Sequence, residues 1–275
     1  MKKGFRIIIS FVLLGSLCCS SCNTFDHLMK SNDMNAKLDA ALKYYNDKDY
    51  YHAQTLFEDL LPFFKGTKTF ETIYYDYADC VFNSGEYLVA AYHFKSYYQS
   101  LPQSDMAEQC LFMNAKCYYL MSPDPELDQE FTKKALEEFQ LFANTYPQSK
   151  LVKDANDYMD QLRNKLEIKD YLGAKLYYQT QNYKAAAAAF ATLLLNYPDS
   201  HHAEEASYLI IKSDYIYAVN SIPARQPERF QQAMQSAISY NKKFPLGEYE
   251  KEVNALVSSI QKNLDKIKAS SNVKN

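Results

Sequence analysis

The sequence predicts an all-α protein of about five helical hairpins in tandem, with a long helix joining repeats three and four. Three observations predict it. A pattern of small and aromatic residues recurs in phase along the chain. The apolar positions inside each copy follow the helical period, and no comparable stretch alternates as a half-buried strand would. Glycine is scarce, with 6 in 275 residues against the ~7% usual for globular chains. That scarcity argues against Gly-rich phosphate loops, hairpin-dense sandwiches and most α/β enzymes, which place glycine in turns of positive φ.

The first copy reads Ala41, Tyr44, Tyr45, then Tyr50, Ala53, Phe57 and Leu60. The second repeats the spacing at Ala78, Val81, Phe82, Tyr87, Ala90, Phe94, Tyr97 and Pro102. The fourth does so again at Ala174, Tyr177, Tyr178, Tyr183, Ala186, Phe190, Leu193 and Pro198. These spacings resemble the tetratricopeptide repeat, a helix–turn–helix hairpin of about 34 residues. Small residues let its two helices approach, and aromatics fill the space between hairpins. A stretched third copy runs from Ala115 to Pro147, with Ser122-Pro123-Asp124-Pro125 expected to break the helix and open a loop. The fifth runs from about Ala203 to Pro245, with a Pro-rich insert from Pro223 to Pro227. Proline ends the second helix at Pro102, Pro147, Pro198 and Pro245, and Ser104, Ser149 and Ser200 follow, placed to cap the next helix. Asp154 to Tyr178 holds no proline and only Gly173, so one long helix is expected there.

Residues 1–21 read as an export leader. Lys2, Lys3 and Arg6 precede an apolar run from Ile7 to Leu17, too short to cross ~30 Å of hydrocarbon. Cys18-Cys19-Ser20-Ser21-Cys22 follows. Small residues before a cysteine at the end of such a leader resemble a bacterial lipoprotein signal, which makes Cys22 the expected acylated N-terminus. The family's usual leucine three residues upstream is Cys19 here. Expected boundaries are a leader at 1–21, a lipidated linker at 22–34 and three repeats at 35–153. The connecting helix and two repeats follow at 154–268, with a disordered tail at 269–275. Removing the leader takes away three of the 30 basic side chains and none of the 33 acidic ones, deepening the net charge from −3 to −6. Neither a nucleic-acid partner nor a polybasic membrane patch fits that balance.

No catalytic, metal or cofactor site is expected. HExxH, G-x-S-x-G and Walker patterns are absent from the sequence. Cys80, Cys110 and Cys117 read as buried, reduced packing residues, since their spacing suits neither a metal nor a disulfide. His201-His202, beside Glu204 and Glu205, reads as a solvated first turn of a helix. Tyrosine doublets are frequent among the 25 tyrosines, and neighbours on a helix point about 100° apart. One member packs; the other covers a helix seam or lines a groove. Tyr45, Tyr75 and Tyr98 are the expected aromatic surface of a peptide-binding groove in the N-terminal repeats. In the run Ala185–Ala189 a helical period cannot bury five consecutive positions. Ala187 belongs to the internal seam, leaving Ala185, Ala188 and Ala189 as the expected partner dock.

A lipoprotein signal followed by such repeats resembles the BamD family of outer membrane lipoproteins. The likeness covers about Asn35 to Leu264. It is most specific from Asp154-Ala155 through Leu162-Arg163-Asn164-Lys165-Leu166, Tyr171, Ala174 and Tyr177-Tyr178 to Tyr197-Pro198-Asp199-Ser200. The resemblance implies a non-enzymatic part of the β-barrel assembly machinery, lipid-anchored at the periplasmic face of the outer membrane. It implies a BamA-like barrel protein docked on the C-terminal repeats and unfolded outer membrane protein substrates received by the N-terminal ones. The long fifth repeat and heavy tyrosine load depart from the family pattern. Two other classes carry such repeats: a scaffold lipoprotein of another envelope complex, and a glycan-binding lipoprotein of the SusD type. The second is usually much longer and favours Trp, which is absent here.

Overall fold

The structure, a computed structural model, describes residues 25–272, with side chains through Ser270. Every regular element among them is helical. The helices are α1 (Met34–Asn46), α2 (Tyr50–Phe64), α3 (Lys68–Asn83), α4 (Tyr87–Ser100), α5 (Ala107–Met121) and α6 (Glu130–Thr145). They continue with α7 (Val152–Gln179), α8 (Tyr183–Asn196), α9 (Ala203–Val219), α10 (Gln226–Lys243) and α11 (Glu250–Asn272). A short helical turn at 25–29 precedes α1. Each proline expected to end a second helix lies just past one, at Pro102, Pro147, Pro198 and Pro245. The long helix is α7. None of the described helices is long and apolar enough to cross a membrane.

The turns inside the hairpins show how the chain manages with few glycines. Lys48, Gly85 and Gln181 occupy the same register, and all three are left-handed, at φ 62°, 83° and 61°. In each, the next amide donates to the carbonyl five residues back: Asp49 to Tyr44, Glu86 to Val81, Asn182 to Tyr177. Positive φ was the argument against glycine-poor turn-rich folds. Here lysine and glutamine take that conformation, at a cost of about 1–2 kcal/mol each.

The serines after the prolines do not cap helices. Ser104, Ser149 and Ser200 accept from the amides of Met106, Leu151 and His202, two residues on and ahead of the next helix. Each hydroxyl then donates to a glutamate of the preceding hairpin: Ser104 to Glu71 at 2.5 Å, Ser149 to Glu108 at 2.5 Å, Ser200 to Glu167 at 2.6 Å. The side chain therefore clamps hairpin to hairpin. Met106 and His202, which start α5 and α9, have no side-chain cap bond.

The described residues divide into two compact units, those up to 123 with 130–162, and 124–129 with those from 163 onward. The boundary falls inside α7 at 162/163, not at 153/154 as the repeat spacing suggested. The loop after Pro123 groups with the second unit because Lys169 Nζ donates to the carbonyls of Leu127 at 2.7 Å and Pro125 at 3.3 Å. In the first unit, successive helices pack around one core that includes Leu56, Phe57, Phe94, Tyr97, Leu111, Phe139 and Phe142. The first turn of the chain is built into it: Lys37, only 3% exposed, donates to Asp59 at 2.5 Å and to the Met29 carbonyl at 2.9 Å. In the second unit the buried side chains form three smaller clusters, around Phe190, Tyr240 and Phe230. The Pro-rich insert is ordered. Pro223–Arg225 is a 3₁₀ turn, Pro227 lies in the first turn of α10, and Gln226 Nε2 ties that turn to the carbonyls of Val219 and Ser221. The last helix runs past the expected boundary at 268, through Asn272.

Candidate functional site

Two of the three candidate groove tyrosines come together. Tyr45, in the last turn of α1, donates its hydroxyl to Asp79 Oδ2 on α3 at 2.7 Å, while its ring packs on Tyr50 and Phe57. Burial first, then the Asp79 carboxylate, pushes that hydroxyl far above the ordinary phenol range. Tyr75 rests against Phe94, and burial followed by Asp79 raises its hydroxyl as well. Asp76, one turn from Asp79, is 9% exposed, and burial plus its neighbour lift it to about 6. The surface built by α1 and α3 is thus aromatic and acidic together. Sequence reasoning picked the tyrosines but missed Asp79, which accepts from Tyr45, and its buried neighbour Asp76, although their i, i+3 spacing on α3 was visible. Tyr98, on the second helix α4, stands apart from this cluster beside Tyr146. All three tyrosines are half-buried.

Larger aromatic exposure lies on second helices. Tyr51 is 73% exposed and Tyr92 67%. Tyr92 lines a cleft of about 880 Å³ with Phe70, Tyr74, His93, Lys65 and Lys68. His93 Nδ1 is buried without a hydrogen-bond partner, and burial lowers the pKa of its ring. Cys80, Cys110 and Cys117 are buried and reduced as expected; burial raises the thiols of Cys80 and Cys117 to about 12 and raises Cys110 too.

In the second unit the alanine run divides by its period. Ala186 and Ala187 are buried, Ala185 and Ala189 half-buried, and Ala188 exposed. Ala189 packs on the Phe190 cluster, so of the three expected dock positions Ala188 alone faces outward fully. Leu195 on the same helix is 80% exposed, and Leu176 on α7 is 59% exposed. On α7 and α9, Tyr171 donates to Glu205 at 2.6 Å, and Lys175 bonds both. His202 is not a freely solvated end residue. Its ring stacks on Tyr171 at 3.9 Å and 9°. Cys22 lies outside the described residues. No group of three or more metal-ligating side chains occurs among the described ones.

Tandem hairpins, a periodic set of interhairpin bonds and exposed aromatic or small-residue faces define a class: an all-α tetratricopeptide-repeat protein. The family follows from the sequence match. The chain belongs to the YfiO family of outer membrane lipoproteins, whose model matches residues 30–219. Among curated relatives, the putative outer membrane protein assembly factor BamD of Aquifex aeolicus (strain VF5) is 22% identical over 215 residues, 78% of this chain and 70% of that one. The outer membrane protein assembly factor BamD of Rickettsia prowazekii (strain Madrid E) is 26% identical over 102 residues, 37% of this chain and 41% of that one. Similar solved structures include the TPR domain of P58(IPK), at 14% identity and TM-score 0.41, covering 88% of this chain and 68% of that one. Another is the TPR2AB domain of yeast Sti1 in complex with pHSP90, at 12% identity and TM-score 0.39, covering 83% and 98%.

Proposed function

We propose that this protein is an outer membrane protein assembly factor, a non-enzymatic scaffold held at the periplasmic face of the outer membrane by acyl chains on Cys22. The observation that carries the reading is the family match over residues 30–219, on a chain that opens with a lipoprotein-type leader. In this reading the second unit docks on a BamA-like barrel protein through the outward face of α8, centred on Ala188. The first unit receives unfolded outer membrane proteins along the Tyr45–Tyr75 surface, with Tyr98 outside it. An acidic-aromatic surface suits extended chains that alternate aromatic and basic or polar residues, because the rings supply contact area and Asp79 an acceptor.

Crosslinking and affinity capture of the tagged protein from its native envelope test the reading. Recovery of an outer membrane barrel protein with periplasmic repeats is the expected result. Recovery of glycan importers, or of an envelope complex without a barrel protein, would overturn it.

A further inference from the structure

The chain enters the first hairpin at a fixed point. The ring of Phe25 lies 4.4 Å from that of His52 and 5.9 Å from that of Tyr44, on either side of the α1–α2 turn. Leu28 and Met29 pack on the core behind it, and Lys37 holds the Met29 carbonyl. Cys22 is three residues upstream of Phe25. An extended chain covers at most ~3.6 Å per residue, so the two Cα atoms lie within about 11 Å of each other in any conformation. An acyl anchor on Cys22 therefore brings the bilayer interface to the α1–α2 end of the first hairpin. Tyr51 stands at that end, its ring 5.3 Å from that of His52.

The repeat register shows that the fold does not require an aromatic residue at the position of Tyr51. Two residues before the buried alanine of each second helix, the five hairpins carry Tyr51, Leu88, Lys133, Lys184 and Gln231. All five positions are exposed. The last three hold the polar side chains that water favours. The first two hold apolar ones, 73% and 56% exposed, and Val89 beside Leu88 is 42% exposed. The hairpins with apolar residues in this register are the one that receives the anchor and its immediate neighbour. The α1–α2 turn reads Asp47-Lys48-Asp49 and carries no local basic excess to attract lipid headgroups, which leaves apolar and aromatic contact. A tyrosine ring suits the headgroup level of a bilayer, with its body in the acyl region and its hydroxyl in water.

From this placement we infer that Tyr51, Leu88 and Val89 form a membrane-contact patch that rests on the lipid interface beside the anchor and orients the first unit against it. The inference rests on acylation of Cys22, and its test reads the two separately. The chain has no Trp, so single Tyr51→Trp, Leu88→Trp and Leu195→Trp variants each carry one reporter. Each full-length protein, purified from its membrane, is placed in phosphatidylethanolamine–phosphatidylglycerol vesicles with brominated acyl chains, and intact mass reports the lipid on Cys22. The expected result is an acylated protein in which the reporters at 51 and 88 lose most of their emission while the one at 195 keeps it. An acylated protein with all three reporters alike, quenched or unquenched, overturns the patch and leaves the anchor standing. A protein without lipid on Cys22 overturns both.

Discussion

The two units spend the same repeat differently. The first gathers its hairpins around one continuous core, laced by ring pairs such as Phe112 with Phe139 and Phe142, and Tyr75 with Phe94. The second splits its buried side chains into three clusters. All three meet α9, at Ala206 and Leu209, at Ile211 and at Ala218, and between the last two lie Ser213, buried with an unpartnered hydroxyl, and Asp214, whose carboxyl is raised by burial. Polar groups thus interrupt the apolar stripe of the helix that should join the clusters. In a repeat array, stability is a sum of local terms coupled through neighbouring interfaces. That difference predicts that the first unit unfolds as one coupled body and that the second opens in parts.

The largest expected effect breaks the comparison directly. Phe94→Ala removes a fully buried ring from the continuous core and should cost about 3–5 kcal/mol, read by denaturant unfolding. Hydrogen exchange should then show protection lost throughout the first unit. Phe230→Ala makes the same chemical change, but protection should fall only around its own cluster, on the last turns of α9, on α10 and on α11. Equal spread of the two losses would contradict the comparison.

The clearest pH effect is expected at Asp76 in the first unit; Asp214 in the second is raised by burial in the same direction. Asp76 sits at about 6 in the fold, above the ~3.9 of an unfolded aspartate, so the native state binds the proton more tightly. The stability this contributes is full below pH ~4 and is lost as the pH rises through about 6. Asp76→Asn should remove the Asp76 share of that slope and stabilise the protein at pH 7.5 by about 1 kcal/mol, once solvent screening is allowed for. Melting curves from pH 4 to 7.5 check it; an unchanged slope would contradict the assignment.

The smallest effect should be equal in both units, which sharpens the contrast. Lys48→Gly and Gln181→Gly relieve the same left-handed turn, with each gain reduced by the greater freedom of the unfolded chain. About 0.5–1 kcal/mol is expected for each, read from the midpoint of urea unfolding. Different signs in the two units would show that the turns are not equivalent.

Much of this architecture was legible because periodicity is a strong signal. The hairpins, the prolines that end them and the uninterrupted α7 all follow from spacing and from the positions of proline. What was not legible depends on long-range partners. Ser104, Ser149 and Ser200 look like caps locally, yet a glutamate one hairpin back takes each hydroxyl. The unit boundary inside α7 leaves no mark in composition, and the Pro-rich insert from Pro223 to Pro227 lies in helical structure. At the candidate groove, tyrosine identity was visible but the bond from Tyr45 to Asp79 was not. On α8 the period alone separated buried from exposed alanines, and only the packing of Ala189 narrowed three dock positions to one.

The claim on which the functional account turns is that the outward face of α8 holds the barrel partner. Glu137 occupies the register of Ala188 in the third hairpin with its side chain 68% exposed, so the repeat accepts a glutamate there. The decisive measurement is the affinity of Ala188→Glu for the purified periplasmic portion of the barrel partner, with circular dichroism and melting temperature recorded alongside. The account predicts that binding is abolished while helicity and melting stay at wild-type values. Wild-type affinity in a folded Ala188→Glu protein would contradict it.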